Sequence, residues 1–598
     1  MRSTPTINNA ERSTRAELAR AGGATPAAQR LAGLRPYAPP LSVPWDDADG
    51  PLLRLDANEG APAGDAVLGT LARITCEDLR RYPDASSLER LIASRLGVEA
   101  LRVVVTNGGD DAIDRVCRAA IDPGDTAVIH EPTFEMIARG VRLAGGRVEV
   151  VPWNRGGFPV AGFTEAIVRG AKVAAVVSPN NPTGAAVSAA SLRAVIEAAE
   201  GAGAVLLADL AYAEFADEDP TDTLLASPNA VVVRTFSKAF GLAGARVGYA
   251  IASPEMAERL RTAGGPYPCA GVSLALAARA LETASERDAF IGRVRTERER
   301  LRRVLSGLRI DSEPSEANFV LARTERTAFV HRALASLGVR VRAFPGRDGI
   351  EDALRITLPG EKAAFGRLTD ALGTALAPQA ILLDLDGVIA DVSSSYRRAI
   401  AETAASFGVT VTREEIDLAK AQGNANNDWL LTQRLITLAG VEADLNEVTA
   451  RFQALYLGNG AQRGLRDDET LIPERSVLQR LASRMPLAVV TGRPRDEARW
   501  FLERAGIEGL FASVVAMEDA TAKPSPEPVA LAMRRLGVAR AWLVGDTPDD
   551  LVAARRAGAI PVGFVPPGVD PTSAAATLGT HAPATVIEDL RELEELLP

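Results

Sequence analysis

Twice along this chain, short apolar runs rich in β-branched residues alternate with longer amphipathic stretches, and the second alternation starts where the first stops. In the first, "LRVVVT" (101–106), "TAVIH" (126–130), "VAAVVS" (173–178), "AVLLADL" (204–210) and "AVVVRTFS" (230–237) leave room for helices between them. In the second, "AILLDLDG" (380–387), "LAVVTG" (487–492) and "AWLVGD" (541–546) repeat the pattern. Parallel strands need a crossover long enough to hold a helix, so both stretches predict an α/β fold on a mainly parallel sheet. After residue 310 the texture becomes a smaller α+β unit, with strands expected near "NFVLAR" and "LRITL". Only "LAPQ" separates the halves. That is too short for a flexible tether, so they should pack closely.

A chain of 598 residues exceeds one core. It divides into an arm (1–30), a first unit (31–376) and a second (378–598), in which 391 to about 475 reads as almost pure helix. The arm lacks apolar periodicity and reads as disordered or loosely docked, and Glu11 and Glu17 argue against a transit peptide. The net charge of −10 excludes a dedicated nucleic-acid binder, which needs a basic face. No apolar run approaches the ~20 residues of a membrane span. Cys76, Cys117 and Cys269 are too scattered for a disulfide framework or thiolate zinc site, which points to a reducing cytoplasm.

Two scarcities narrow the chemistry. Three histidines (His130, His331, His581) nearly exclude a multi-histidine zinc hydrolase. Five lysines (Lys172, Lys238, Lys362, Lys420, Lys523) stand among 67 basic residues. Arginine serves wherever a fixed charge suffices, so a lysine inside a motif is a candidate for chemistry that a guanidinium cannot do. A lysine without a motif is taken as chance survival.

Lys238 lies just past an apolar strand in "RTFSKAFGLAGARVGY", eight residues before Arg246. That pairing suits a Schiff base to a phosphorylated aldehyde, with the arginine on the phosphate. Asp209 ends "LLAD" and Tyr212 follows three residues on. A buried carboxylate there could keep a pyridine nitrogen protonated. "SPNNPTG" supplies Asn181 as donor to a ring oxygen, and the Gly109 and Asp110 amides of "TNGGDD" open a helix that could cap a phosphate. Each piece alone is weak. Their joint order, each at a strand-to-loop edge, carries the reading.

With "RPY" (35–37), "LDANE" (55–59), "RYPD" (81–84), "EPTF" (131–134), "PYP" (266–268), "EANFVL" (316–321) and "LRIT" (354–357), residues 31–376 resemble fold-type I pyridoxal-phosphate aminotransferases, most specifically the histidinol-phosphate aminotransferases. The resemblance implies a large and a small domain and a homodimer. It implies that Lys238 bonds the cofactor aldehyde and moves the proton, and that Asp209 pairs with the ring nitrogen. Tyr212 and Asn181 would then hold the phenolic oxygen, and Phe134 would stack on the ring where relatives usually carry Tyr. Thr235, Ser237, Arg246, Gly109 and Asp110 would hold the phosphate, with Tyr82 reaching the neighbouring subunit's phosphate. Arg355, helped by Arg342 and Tyr37, would grip the acidic end of each substrate. "NGGDD", "DLAY" and "LRITLPGEKAA" depart from the usual pattern, and the last two leave the amino acceptor open.

The second half opens on a strand ending in Asp384 and Asp386, which would share a face if extended geometry continued. Two close carboxylates call for a cation, and Mg²⁺ is the natural partner. Thr491 ends "LAVVT", Lys523 sits in "AKPSPEP", and Asp546 is followed by Asp549 and Asp550 at a helix start. In this order the four motifs resemble the haloacid-dehalogenase superfamily of phosphatases, a Rossmann-like fold with a helical cap. The resemblance implies that Asp384 attacks phosphorus while Asp386 serves as acid and then base. Thr491 and Lys523 would bind the phosphoryl group, and Asp384, the Asp386 carbonyl, Asp546 and Asp550 would hold Mg²⁺. Asp549 reads as helix-terminal charge.

Together the halves predict a bifunctional enzyme. An oxo-alkyl phosphate would be aminated at the expense of glutamate, giving 2-oxoglutarate, and the phosphate ester of the product would be hydrolysed. In histidine biosynthesis the final product would be histidinol. Alternatives are the same architecture on another small oxo or amino phosphate, a threonine-phosphate decarboxylase-like reaction, or a cofactor-sensing regulator. The last is disfavoured because the arm is too short for a helix-turn-helix.

Overall fold

The protein is described by a computed structural model covering residues 31, 34–36, 50–421, 423, 427–459 and 462–597. The arm (1–30) and Tyr37 lie outside the described residues.

The first half is built on seven strands: β1 (Val103–Thr106), β2 (Thr126–Glu131), β3 (Arg147–Pro152), β4 (Val173–Val177), β5 (Val205–Asp209), β6 (Ala230–Thr235) and β7 (Gly248–Ile251). Their order is β1-β7-β6-β5-β4-β2-β3. β7 runs antiparallel to both neighbours, and the remaining pairs are parallel. β4 and β6 are buried at every position, which is why "VAAVV" and "AVVVRT" read as continuous rather than alternating apolar runs. Helix α1 (Gly108–Ala120) follows β1 directly. A second, antiparallel sheet, ordered β10-β11-β9-β8, combines β8 (Asp311–Ser312), β9 (Phe319–Arg323), β10 (Arg342–Ala343) and β11 (Ala353–Thr357). Helix α2 (Thr327–Ser336) packs on this sheet and against α3 (Lys362–Leu376).

The second half carries a six-stranded, wholly parallel sheet of order β14-β13-β12-β15-β16-β17. Its strands are β12 (Ala380–Leu383), β13 (Leu487–Val490), β14 (Phe511–Val515), β15 (Ala541–Gly545), β16 (Ile560–Phe564) and β17 (Thr585–Ile587). Between β12 and β13 the insert forms α4 (Tyr396–Ser406), α5 (Arg413–Ala421), α6 (Asp428–Leu438) and α7 (Leu445–Leu457). It is not pure helix. The chain leaves and returns through a two-stranded neck, Ala390–Asp391 against Thr470–Leu471, and Gly458–Asn459 pairs with Gln462–Arg463. Helix α8 (Pro548–Arg556) follows β15.

The two halves share one apolar cluster, in which Phe329 of α2 packs on Trp542 of β15 with ring centroids 4.9 Å apart. The Trp542 indole N–H donates to the Thr374 carbonyl at 2.8 Å, in the last turn of α3. Arg332 Nε donates to the Ala584 carbonyl at 2.8 Å, and Gln379 Oε1 accepts from the Ala539 and Arg540 amides. The short joint therefore lies along a packed interface, as its length requires.

Candidate functional site

In parallel sheets the loops at the strands' C-terminal ends converge, and both sheets use that edge. In the first half a cavity of about 570 Å³ opens there. Gly109 and Asp110 reach it from the first turn of α1, and Phe134 and Asn181 from the loops after β2 and β4. Asp209 and Tyr212 come from the end of β5, and Thr235, Ser237, Lys238 and Arg246 from the end of β6 and its loop. Arg342 and Arg355 enter from the antiparallel sheet. Arg355 Nη1 donates to Asn181 Oδ1 at 2.7 Å and Nη2 to the Asp56 carbonyl at 2.8 Å, joining the two sheets across the cavity.

The cavity's electrostatics are those of an incomplete polar site. Lys238 Nζ donates to the Asn58 carbonyl at 2.8 Å, and burial, then the nearby Arg355 cation, lowers its pKa to about 8. Burial raises the Asp209 carboxyl to about 6, only partly offset by a hydrogen bond from the Ala211 amide and by Lys238. Burial also raises the Tyr212 hydroxyl to about 12, and that oxygen accepts from Asn58 Nδ2 at 2.8 Å. A buried carboxylate without a full cationic partner and an amine that sheds its proton near neutrality are what a protonated pyridine bearing an aldehyde would complete. At the other end, Thr235 Oγ1 donates to Ser237 Oγ at 2.9 Å, and Arg246 pairs with Asp110 at 3.1 Å. Gly108 sits at φ +79°, where a Cβ would come within 2.8 Å of the Arg246 guanidinium. These residues fit a pyridoxal phosphate.

In the second half Asp384, Thr491 and Asp546 follow directly on β12, β13 and β15. Oxygens of Asp384, Asp546 and Asp550 lie within 4.8 Å of one another. Lys523 is buried against them: Nζ donates to Asp384 Oδ1 at 2.8 Å and pairs with Asp550. Burial alone would lower the Lys523 pKa, but Asp384 and Asp550 override it and hold it well above the ordinary lysine value. Burial raises Asp384, and burial and then Asp550 raise Asp546 to about 7. Three converging hard oxygen donors, two of them on the raised carboxyls of Asp384 and Asp546, are the donor set of a divalent cation such as Mg²⁺. Gly387 (φ +78°) lets the loop pass Asp546, since a Cβ there would meet its Oδ2 at 2.1 Å.

The family model for aminotransferase class I and II matches residues 55–372, more than half of the chain. The chain belongs to that family. A second family model, haloacid dehalogenase-like hydrolase, matches residues 378–558. Histidinol-phosphate aminotransferase of Roseiflexus castenholzii is 35% identical over 348 residues, 55% of this chain and 92% of the relative. The namesake from Symbiobacterium thermophilum is 33% identical over 356 residues, 57% and 96% of the two chains. A protein of Phytophthora nicotianae named imidazoleglycerol-phosphate dehydratase is 51% identical over 197 residues, 32% of this chain, which spans only 44% of that relative. Among solved structures, histidinol-phosphate aminotransferase from Clostridium acetobutylicum has a TM-score of 0.50 at 19% identity, covering 54% of this chain and 98% of that one. That likeness shows the fold. The protein thus joins an aminotransferase domain to a haloacid dehalogenase-like hydrolase domain.

One expectation for these domains needs amending. The extended geometry on which Asp384 and Asp386 would share a face does not continue: the strand stops at Leu383 and the chain turns, with the Ile389 and Ala390 amides returning to the Leu385 carbonyl. The Asp386 carboxylate therefore stands outside the three-carboxylate cluster and pairs with Arg493. Tyr82, expected at a neighbouring subunit's phosphate, is 80% exposed on this chain and stacks on Tyr267 at 4.5 Å. Lys420, which lacks a motif, pairs with Asp428 at 3.0 Å within the insert. Asn58 and Arg347 line the aminotransferase cavity without having been singled out. Asn58 lies inside the quoted "LDANE", and its left-handed backbone (φ 58°) is a conformation non-glycine residues seldom adopt. In the hydrolase domain, Arg493 follows Thr491 by two residues and was visible only as part of "VVTGR".

Proposed function

We propose that the protein is a bifunctional enzyme: a pyridoxal-phosphate transaminase that aminates an oxo-alkyl phosphate from glutamate, and a Mg²⁺-dependent phosphatase that removes the phosphate from the amino product. The observation that carries the reading is that one chain holds both constellations. A lysine of lowered pKa lies beside Asp209 and Tyr212 in a cavity with Arg246, Arg342 and Arg355, and a buried lysine-braced tricarboxylate site stands at the matching edge of the next sheet. The names of the relatives favour histidinol phosphate as the amino product.

The cofactor, when bound, supplies an electron sink for the carbanion formed at the substrate's Cα. The chain's part is to hold and move protons. Lys238 Nζ, free amine in part at neutral pH, takes the Cα proton and returns it. Asp209 supplies the negative charge that keeps the ring nitrogen protonated, while Tyr212 and Asn181 orient the phenolic edge. Gly109, Asp110, Thr235, Ser237 and Arg246 hold the phosphate, and Arg355, Arg342 and Tyr37 receive the substrate's acidic end. Tyr82 completes the site of a second subunit, so the enzyme works as a homodimer. In the hydrolase domain Asp384 is the nucleophile and Asp386 the acid and then base. Thr491 and Lys523 would hold the phosphoryl group, and Asp384, Asp546, Asp550 and the Asp386 carbonyl would hold Mg²⁺. No helix among the described residues is long and apolar enough to cross a membrane. Free cysteines and small phosphorylated substrates fit a cytoplasmic enzyme.

The test supplies the full-length protein with pyridoxal phosphate, Mg²⁺, glutamate and imidazole-acetol phosphate. 2-Oxoglutarate, histidinol and inorganic phosphate should appear in equal amounts. 2-Oxoglutarate without phosphate release would refute the coupling, release of carbon dioxide would point to a decarboxylase, and no turnover would refute the reading.

A further inference from the structure

Among the described residues Arg493 is, after Trp542, the largest side chain wholly enclosed in the protein, and it is charged. Enclosing a guanidinium is costly unless its donors are paired. Its Nη1 donates to Glu469 Oε2 at 2.9 Å and to the Tyr456 hydroxyl at 3.1 Å. Glu469 is itself tied to the insert, accepting on Oε1 from Ser395 Oγ at 2.7 Å and from the Tyr456 hydroxyl at 3.1 Å. The guanidinium carbon lies 4.9 Å from the ring centroid of Tyr396. Glu469 alone would neutralise the arginine. A structural cation needs nothing more.

Yet its remaining face is spent on Asp386. Nε reaches Asp386 Oδ1 at 2.6 Å and Nη2 reaches the same oxygen at 2.5 Å. An arginine recognising a carboxylate usually spreads its fork over both oxygens. Here the one hydrogen bond, from Nε, and the shortest ion-pair contact both fall on Oδ1, while Nη2 makes no hydrogen bond of its own and none runs from Arg493 to Oδ2.

We propose that Arg493 is a positioning residue for Asp386, fixing Oδ1 so that Oδ2 alone exchanges protons with the leaving group and with water. The proposal rests on the phosphatase reading. In the first step a carboxylate oxygen of Asp384 bonds to phosphorus, the ester P–O bond breaks, and the departing alkoxide takes its proton from Asp386 Oδ2. In the second step a water oxygen bonds to that phosphorus and gives a proton to Asp386 Oδ2, while the P–O bond to Asp384 breaks. Inorganic phosphate leaves and the Asp384 carboxylate returns. Because Tyr456, Ser395 and Glu469 complete the same network, the clamp also ties the insert to the proton-transfer group.

The experiment compares two esters in the full-length protein with Mg²⁺: histidinol phosphate, whose alkoxide must be protonated as it leaves, and p-nitrophenyl phosphate, whose phenolate need not be. Arg493→Met should lose about 100-fold or more in kcat on the alkyl ester but less than about 10-fold on the aryl ester, the range that general acid catalysis supplies. Arg493→Lys should recover part of the alkyl loss. In an Asp386→Asn background, Arg493→Met should add little further alkyl loss, since the two act as one unit. Equal losses on both esters, or fully additive losses in the double variant, would overturn the proposal and leave Arg493 a packing residue. Should Arg493→Met fail to fold, judged by loss of transaminase activity and of a cooperative melt, Arg493→Lys carries the comparison. It should show an alkyl loss at least about five times the aryl loss, and equal losses would overturn the proposal. A wild-type protein inactive on both esters would instead bring down the phosphatase reading itself.

Discussion

Lys238 and Lys523 both project from the C-terminal edge of a parallel sheet into the protein, and their proton affinities move in opposite directions. Lys238 faces an open cavity of about 570 Å³, its Nζ bonded to a backbone carbonyl, with Arg355 nearby. Burial wins and the amine is readily freed. Lys523 faces a cleft of only about 40 Å³ and is flanked by Asp384 and Asp550. There the carboxylates win and the charge is locked on. The same residue type under similar enclosure becomes a proton carrier or a permanent cation, and the decision lies with what faces it.

The largest effects should come from deleting each site's reactive group. Lys238→Ala should cost transamination about 10³-fold or more while phosphate release stays within about two-fold. Asp384→Asn should do the reverse, and a parallel assay of keto-acid and phosphate products checks both. Chelation of divalent metal should likewise abolish phosphate release and spare transamination, because only the hydrolase domain gathers three carboxylates among the described residues.

The titration of the two lysines sharpens the contrast. A pKa lowered to about 8 means Lys238 is mostly unprotonated above pH 8, whereas an ordinary lysine needs pH above about 10.4. In the cofactor-free protein, acylation of Lys238 followed by peptide mass spectrometry should rise with a midpoint near pH 8. Lys523 should stay unmodified to pH 10. A Lys238 midpoint at the ordinary lysine value would erase the distinction. Asn58→Ala should have a smaller effect, about 10-fold on transamination, by removing the donor to Tyr212 while leaving phosphate release unchanged.

How far these sites were legible depends on where their residues sit. Asp209, Lys238, Asp384, Thr491 and Asp546 follow apolar runs closely, so the end of a strand marks them in the sequence. Asn58, Arg347, Glu469 and Tyr456 do not. They are brought in from loops or the insert by tertiary packing, and apart from Asn58, which lies inside "LDANE", nothing in their local pattern marks them. The pairing of Asp386 with Arg493 was hidden for a different reason. Alternation holds only while the chain stays extended, and the hydrogen bonds that end the strand after Leu383 are not written in two-residue spacing.

The smallest predicted effect concerns the joint. Trp542→Phe keeps the ring against Phe329 but leaves the Thr374 carbonyl without its indole donor, and should cost about 1–3 kcal/mol of stability in a chemical-denaturation experiment. Both activities should be retained at 25 °C. That interface also settles what a protease could achieve. A cut within 377–379 severs the covalent connection yet leaves the indole, the Phe329 ring and the Arg332 contact in place. The nicked halves should therefore migrate as one species on gel filtration and part only in denaturant.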